Sequence, residues 1–414
     1  MNAISLRGLL PRLRRFFPRI ADGSLVVAAA CVGMAIAAEA PPAIDPARIE
    51  GLIRQLGSED YEQREAAGRD ILAIGLPAMP FVDRHSRSDD YEIRYRCERL
   101  KLALKDVDLD RRFEAFAKDE KGEADHDIPG WKVFRERFGT VDGAKALFIE
   151  MFRADKELMV RHAEKSPQLG RIVQSRVMEM QQSLQRGGAT EGQTIGRAAA
   201  LIYAQSDTAG VAASDPMMQN INQIALQLLA FGPLQQAMNK ANPLREPIRA
   251  VVSRRIESVE VSEFQTAMQV AQQLDIKAIL KPARKLLANK ASGQPHMLPA
   301  VLSTIVRFGG QEDIPAVEPL LQDKQLLGNF QTGRRPQVQG QVGDVAMVTM
   351  LRLMKKDPKE FGFELMQGGV GELAGFADDA KRQACREKVA AALAEWKKSK
   401  EKETGIKVEE PTTP

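Results

Sequence analysis

The sequence predicts an all-α chain, and three observations carry that prediction. Runs dense in Ala, Leu, Met, Gln, Glu, Lys and Arg, all good helix formers, dominate the 414 residues. Period-two stretches of Val, Ile, Thr and Tyr are scarce, which disfavours a β-rich fold. Apolar residues recur at helical spacing in one segment after another. Hydrophobic residues at 44% and charged residues at 28% are ordinary for a folded chain, and the length favours two or more packed units or one elongated array.

The first element, residues 1–40, reads as a targeting segment. Arg7, Arg12, Arg14, Arg15 and Arg19 precede an apolar run from Leu25 to Ala38, followed by small residues suited to a signal peptidase. That run is 14 residues long, whereas a membrane span needs about 20, so a cleaved signal peptide is expected, with cleavage after Ala37. The alternative is an uncleaved N-terminus anchored in the inner membrane. Five Arg against one Asp in the first 37 residues equal the whole chain's net charge of +4, so the mature chain is near neutral. Strong attraction to nucleic acid or to anionic lipid is not implied. Cys31 lies in the apolar run with Ala28 where a lipoprotein acceptor expects a larger aliphatic, and Cys97 and Cys385 are too far apart to suggest a disulfide framework.

Residues 41–105 carry the most informative feature. Asp60-Tyr61-Glu62-Gln63-Arg64 recurs thirty residues later as Asp90-Tyr91-Glu92-Ile93-Arg94, and at the same offset Ala67 matches Cys97 and Leu72 matches Leu102. Each Asp stands where a helix N-cap belongs, with Glu in the first turn. Gly75-Leu76-Pro77 interrupts the helix between the copies and Met79 to Arg87 supplies a shorter one, giving two helix pairs. This resembles the HEAT repeat, whose second helix opens with Asp, then an aliphatic and Arg, then a small residue, as in Asp90, Ile93, Arg94 and Cys97. Gln63 departs from that pattern in the first copy. The resemblance implies a HEAT-like α-α superhelix, a right-handed array of helical hairpins in one or two units. It also implies that Asp60, Arg64, Asp90 and Arg94 form a ladder between neighbouring repeats.

Residues 106–186 remain helical without a repeat, with Leu169, Ile172, Val173, Val177, Met180 and Leu184 as one apolar stripe that needs a partner helix. Residues 187–217, with Gly187, Gly188, Gly192, Gly196 and Asp215-Pro216, read as a loop or hinge around a short helix near Arg197 to Ala204. Residues 218–396 form a second helical-repeat region. Within it Leu274, Leu280 and Leu286-Leu287 align with Phe308, Ile314 and Leu320-Leu321, 34 residues on, and Phe308 to Asp323 is again similar to the HEAT type. A polar insertion, 324–341, delays a helix expected over Val342 to Met354. A last helix, Ala380 to Trp396, grades into a charged tail, 397–414, read as solvated.

No residue is assigned to catalysis, to a cofactor or to a metal. Asp106, Asp108 and Asp110 begin like a calcium loop, but Arg111 stands where the turn needs Gly and Ala117 where a bidentate carboxylate belongs, so a charged helix start is preferred. Glu123, Asp125, His126 and Asp127 are the densest acidic cluster with a histidine. His85, His126, His162 and His296 are scattered without metal-ligand spacing, and no Ser sits in a nucleophile elbow. Arg334 and Arg335, among Gln331, Gln337, Gln339 and Gln341, are singled out as a partner-binding loop. The expected function is that of an exported, non-enzymatic scaffold of the periplasm or cell envelope, binding an unidentified protein partner and no nucleic acid. The alternative is an exported hydrolase-like enzyme with a site assembled near His126 and Asp125 or Asp127.

Overall fold

The computed structural model describes residues 45–120, 124, 126–185, 191–208, 225–226, 235, 237–238, 242–289, 295–330, 338–363, 365–367 and 373–404. They are mostly helical, with two short antiparallel hairpins. The chain divides into two compact units between Leu104 and Lys105. No helix among the described residues is long and apolar enough to cross a membrane.

In the first unit, α1 (Pro46–Gln55) starts at Asp45, whose carboxylate accepts from the Ala47 amide at 2.9 Å, with Pro46 preorganised for the first turn. The second helix, α2 (Tyr61–Ile74), ends where Gly75 takes φ +80°. A 3₁₀ turn (Leu76–Ala78) leads into α3 (Met79–His85) and then α4 (Tyr91–Lys118). Ile49, Ile53, Leu56, Ala67, Ile71, Ala78, Val82, Cys97 and Leu104 close one core among these helices. No helix begins at Asp106. With neither Gly nor Pro between Tyr91 and Lys118, nothing in the sequence stops α4, and the three aspartates lie inside it.

The second unit contains α5 (Trp131–Phe138), α6 (Ala144–Ala154), α7 (Lys156–Ala163), α8 (Leu169–Gln185) and α9 (Glu191–Thr208). Phe116, Trp131, Phe134, Phe148 and Tyr203 interlock with ring centroids 5.0 to 6.0 Å apart, mostly edge-on or tilted, as aromatic quadrupoles prefer. Within 187–217, read as a loop or hinge around a short helix near Arg197 to Ala204, the helix is longer than expected, and 187–190 and 209–217 lie outside the described residues. Residues 191–208 are one helix, with Ala198 to Ser206 buried, and Gly196 lies against α6 so closely that a β-carbon there would overlap the Glu150 carbonyl oxygen. Composition cannot distinguish a glycine that frees the backbone from one that lets two helices touch.

Next come α10 (Arg245–Glu257), α11 (Phe264–Leu274), α12 (Leu280–Ala288), α13 (Leu298–Phe308) and α14 (Ile314–Val317). A 3₁₀ turn, an 11-residue helix and a second 3₁₀ turn (261–263, 264–274, 277–279) recur 34 residues later as 295–297, 298–308 and 311–313. The polar insertion contains a hairpin, β1 (Leu326–Phe330) paired antiparallel with β2 (Val338–Gln341), so the chain is not purely helical. Helix α15 (Val342–Leu353) follows, buried along nearly its whole length. A second hairpin, β3 (Leu365–Gln367) with β4 (Leu373–Gly375), is bridged to the first between Gln339 and Phe376. The last helix, α16 (Asp379–Thr404), takes in residues 397–404 that composition assigned to a solvated tail. Lys397 binds Glu318 at 2.8 Å, so α16 docks beyond Trp396.

Candidate functional site

The two copies of the N-terminal motif build the same lock. Ser58 Oγ accepts from the Asp60 amide and Ser88 Oγ from the Asp90 amide, both at 3.2 Å. Each aspartate then caps its own helix: Asp60 accepts from the Glu62 amide at 2.9 Å, and Asp90 from the Ile93 amide at 3.1 Å. Each arginine folds back onto its own loop. Arg64 Nη1 donates to the Ser58 and Glu59 carbonyls at 2.7 and 2.9 Å, and Arg94 Nη1 to those of Ser88 and Asp89 at 2.5 and 3.4 Å. The link between copies departs from the Asp–Arg ladder that the resemblance implied, because of those four residues only Arg64 reaches the other copy, and it meets Glu92 rather than Asp90. Arg64 Nε lies 3.3 Å from Glu92, and Arg96 bonds Glu92 at 2.6 Å and Glu65 at 2.9 Å. The Arg96 bond holds the Glu65 carboxyl below its usual range.

That link crosses a cleft of about 210 Å³ between α2 and α4. Leu56, Leu72 and Leu100 form its floor, Gly68 opens one wall, and Arg69, Arg96 and Arg99 stand on its rim. Arg96 is engaged by two carboxylates, whereas Arg69 and Arg99 have none within ion-pair distance among the described residues. Beside the cleft, Tyr61, Tyr91 and Tyr95 are 63%, 69% and 48% exposed. Tyr91 and Tyr95 stack with centroids 6.2 Å apart, and Arg64, Arg94 and Arg99 each lie over one of the three rings. The repeat itself contained this surface: the offset that pairs Asp60 with Asp90 also pairs Tyr61 with Tyr91 and Arg69 with Arg99.

The other candidates fall elsewhere. Arg334 and Arg335, with Gln331 and Gln337, lie outside the described residues, as do Glu123 and Asp125. His126 does not meet Asp127; its Nε2 lies 3.2 Å from Asp119 Oδ2, and its ring packs on Phe116. Arg112 clamps the same loop through the carbonyls of His126 and Asp127, so the histidine belongs to a charged loop closure. The three aspartates of α4 do not converge on one point, since Asp108 and the other two meet different basic side chains. Lys156 bonds Asp106 and Asp110, each at 2.7 Å, while Asp108 bonds Arg111 and Arg112. His85 pairs with Glu50, and His162 is buried against Tyr203. Among the described residues no three His, Cys, Asp or Glu side chains gather as metal ligands would.

A second groove, about 260 Å³, runs over α11, α13 and α15 and is lined by Gln272, Ser303, Arg307, Thr349 and Arg352. Arg307 donates to the Gln272 carbonyl at 2.8 Å and so holds α11 and α13 together. Comparison with protein-family models, with curated proteins and with solved structures returns no match.

Proposed function

We propose that this chain is an exported, non-enzymatic scaffold of the cell envelope, built as a HEAT-like right-handed array of helix pairs, and that it binds a protein partner on the α2/α4 face. The observation that carries this reading is the exposed Tyr–Arg surface on two helices that start with the same lock. Tyr and Arg are the residues that dominate binding energy at protein interfaces, and large exposed tyrosines contribute nothing to a core. The 30-residue repeat in the first unit and the 34-residue recurrence of 3₁₀ turns and helices in the second support an array, because stacked repeats present one extended surface. The arginine-rich leader followed by a short apolar run supports export.

A photo-crosslinking amino acid placed singly at Tyr61, Tyr91 or Tyr95 tests the interface, with Arg48 and Arg87 as exposed controls in the same unit. The expected result in intact cells is a discrete adduct from the tyrosine positions and none from the controls. No adduct from any of the three, with the protein folded and abundant, rejects the scaffold reading. Intact mass of the product in the envelope fraction tests export: the expected species lacks residues 1–37.

A further inference from the structure

We infer that the α2/α4 cleft takes an acidic peptide segment of the partner, one apolar side chain on the Leu56–Leu72–Leu100 floor flanked by carboxylates on Arg69 and Arg99; this rests on the scaffold reading above. The charges set the polarity. The lining carries three guanidinium groups against the Glu65 carboxylate, which with Glu92 is bonded to Arg96, while Arg69 and Arg99 have no carboxylate within ion-pair distance among the described residues, so positive charge is in excess. Guanidinium matches carboxylate geometry with two parallel N–H donors, so a flanking Asp or Glu is favoured over a neutral residue. A basic segment would meet like charges on Arg69, Arg96 and Arg99. The volume, about 210 Å³, suits one medium aliphatic side chain and excludes a folded domain. Two of the three arginines are held: Arg96 by its two glutamates, and Arg99 by the Tyr95 ring 5.7 Å from its guanidinium carbon. Binding therefore orders few side chains that were free before.

Gly68 is the position from which the cleft can be blocked. A β-carbon there meets nothing within 4 Å and the glycine sits inside a helix, so a side chain at this position grows into open space at the cleft without displacing the fold. Gly68→Trp fills the cleft from the wall. The test is selection of a random twelve-residue phage-displayed peptide library on the mature full chain, followed by titration of enriched peptides by fluorescence polarisation. Enriched sequences are expected to carry a Leu, Ile or Met flanked by Asp or Glu. Replacing their carboxylates with amides, or raising salt from 0.05 to 0.5 M, should weaken binding about tenfold or more. Arg69→Glu and Arg99→Glu should each weaken it by about the same factor and Gly68→Trp should abolish it, with Arg87→Ala, an exposed position outside the cleft, binding as the parent does. Absence of enrichment, enriched peptides without acidic residues, or unchanged binding to Gly68→Trp overturns the inference. Crosslinks from Tyr91 that persist in Gly68→Trp and Arg69→Glu would leave the scaffold reading standing while removing this one.

Discussion

Asp344 and Arg382 form an ion pair inside the second unit, Arg382 Nε lying 3.0 Å from Asp344 Oδ1, with the aspartate fully buried and the arginine nearly so. Burial pushes the Asp344 carboxyl above its usual range, against the opposing pull of the Gln341 amide and Arg382. Arg382 also donates to the Gln339 carbonyl at 3.1 Å, bonds Asp379 and lies over the Phe376 ring, so one side chain holds α15, α16 and both hairpins together. Similar pairs recur at other helix starts. Asp155, Glu263 and Asp313 each accept a backbone amide of their own helix start with one oxygen and an arginine, respectively Arg176, Arg255 and Arg284, with the other.

Breaking the pair one side at a time should be severe. Arg382→Met leaves the Asp344 charge buried alone, which costs about 3 to 5 kcal/mol, whereas Asp344→Asn leaves Arg382 its bond to Asp379 and should cost less. The double variant Asp344→Leu with Arg382→Met removes both charges and should recover more than half of that loss. Urea midpoints of the three variants check this; equal losses in single and double variants would show that the hairpin contacts of Arg382, rather than the pairing, carry the effect.

Gly196 gives a prediction whose sign separates two roles. In a loop or hinge, Gly196→Ala would be neutral, and in an unconstrained helix it would stabilise by up to about 1 kcal/mol. Here the new methyl overlaps the Glu150 carbonyl, and α9 must move off α6. Overpacking of this kind costs typically 1 to 3 kcal/mol, which outweighs the propensity gain. The thermal midpoint of Gly196→Ala should fall, and a rise would sink the close-crossing account.

These two sites show where the sequence was legible. Helix α15 ends within a residue of the expected span from Val342 to Met354, because a helix buried on nearly all sides is written as a long apolar run. Asp60 and Asp90 are N-caps as their position before an apolar run implied, since capping is local. The locks at Asp344, Asp313 and Glu263 were not legible, because their arginines come from 8 to 38 residues away and a lone Asp or Arg in a helix looks solvated. The hairpins escaped for a different reason: β1 and β2 are short, carry Gly and Gln, and lack a clean alternation of apolar and polar residues. The repeat marked Tyr61, Tyr91 and the caps beside the cleft but not the cleft itself; that Arg69 and Arg99 line one site needed the fold to bring α2 and α4 together.

Asp108 should shape the acid limb of stability. Its site is nearly buried, which alone would raise its carboxyl, but the bonds from Arg111 and Arg112 outweigh that and hold it below the usual range. A carboxyl depressed in the folded state stabilises above its unfolded pKa, near 3.9, and loses that contribution as pH falls through the folded value. The stability difference between the parent and Asp108→Asn should therefore be constant from pH 7 to about 5 and shrink steadily below about 4. Urea midpoints at four pH values across that window decide it; a difference that grows toward acid pH would contradict the direction.

The cysteines make the last prediction. Burial pushes the Cys97 thiol up to about 11 and the Cys385 thiol up to about 12, the latter helped by the Asp344 charge. An unperturbed thiol, near 8.5, is partly thiolate at pH 8, and only the thiolate attacks a disulfide reagent. Both thiols of the folded protein should thus react with Ellman's reagent slower by two orders of magnitude or so than in guanidinium, where they become ordinary. Native Cys385 should become reactive in Arg382→Met if loss of the ion pair loosens α16 from α15, whereas Cys97, in the other unit, should stay protected. Equal reactivity of folded and unfolded protein would contradict the burial of both. The denatured count also reports on the leader, since chain that has lost residues 1–37 titrates two thiols and chain that keeps Cys31 titrates three.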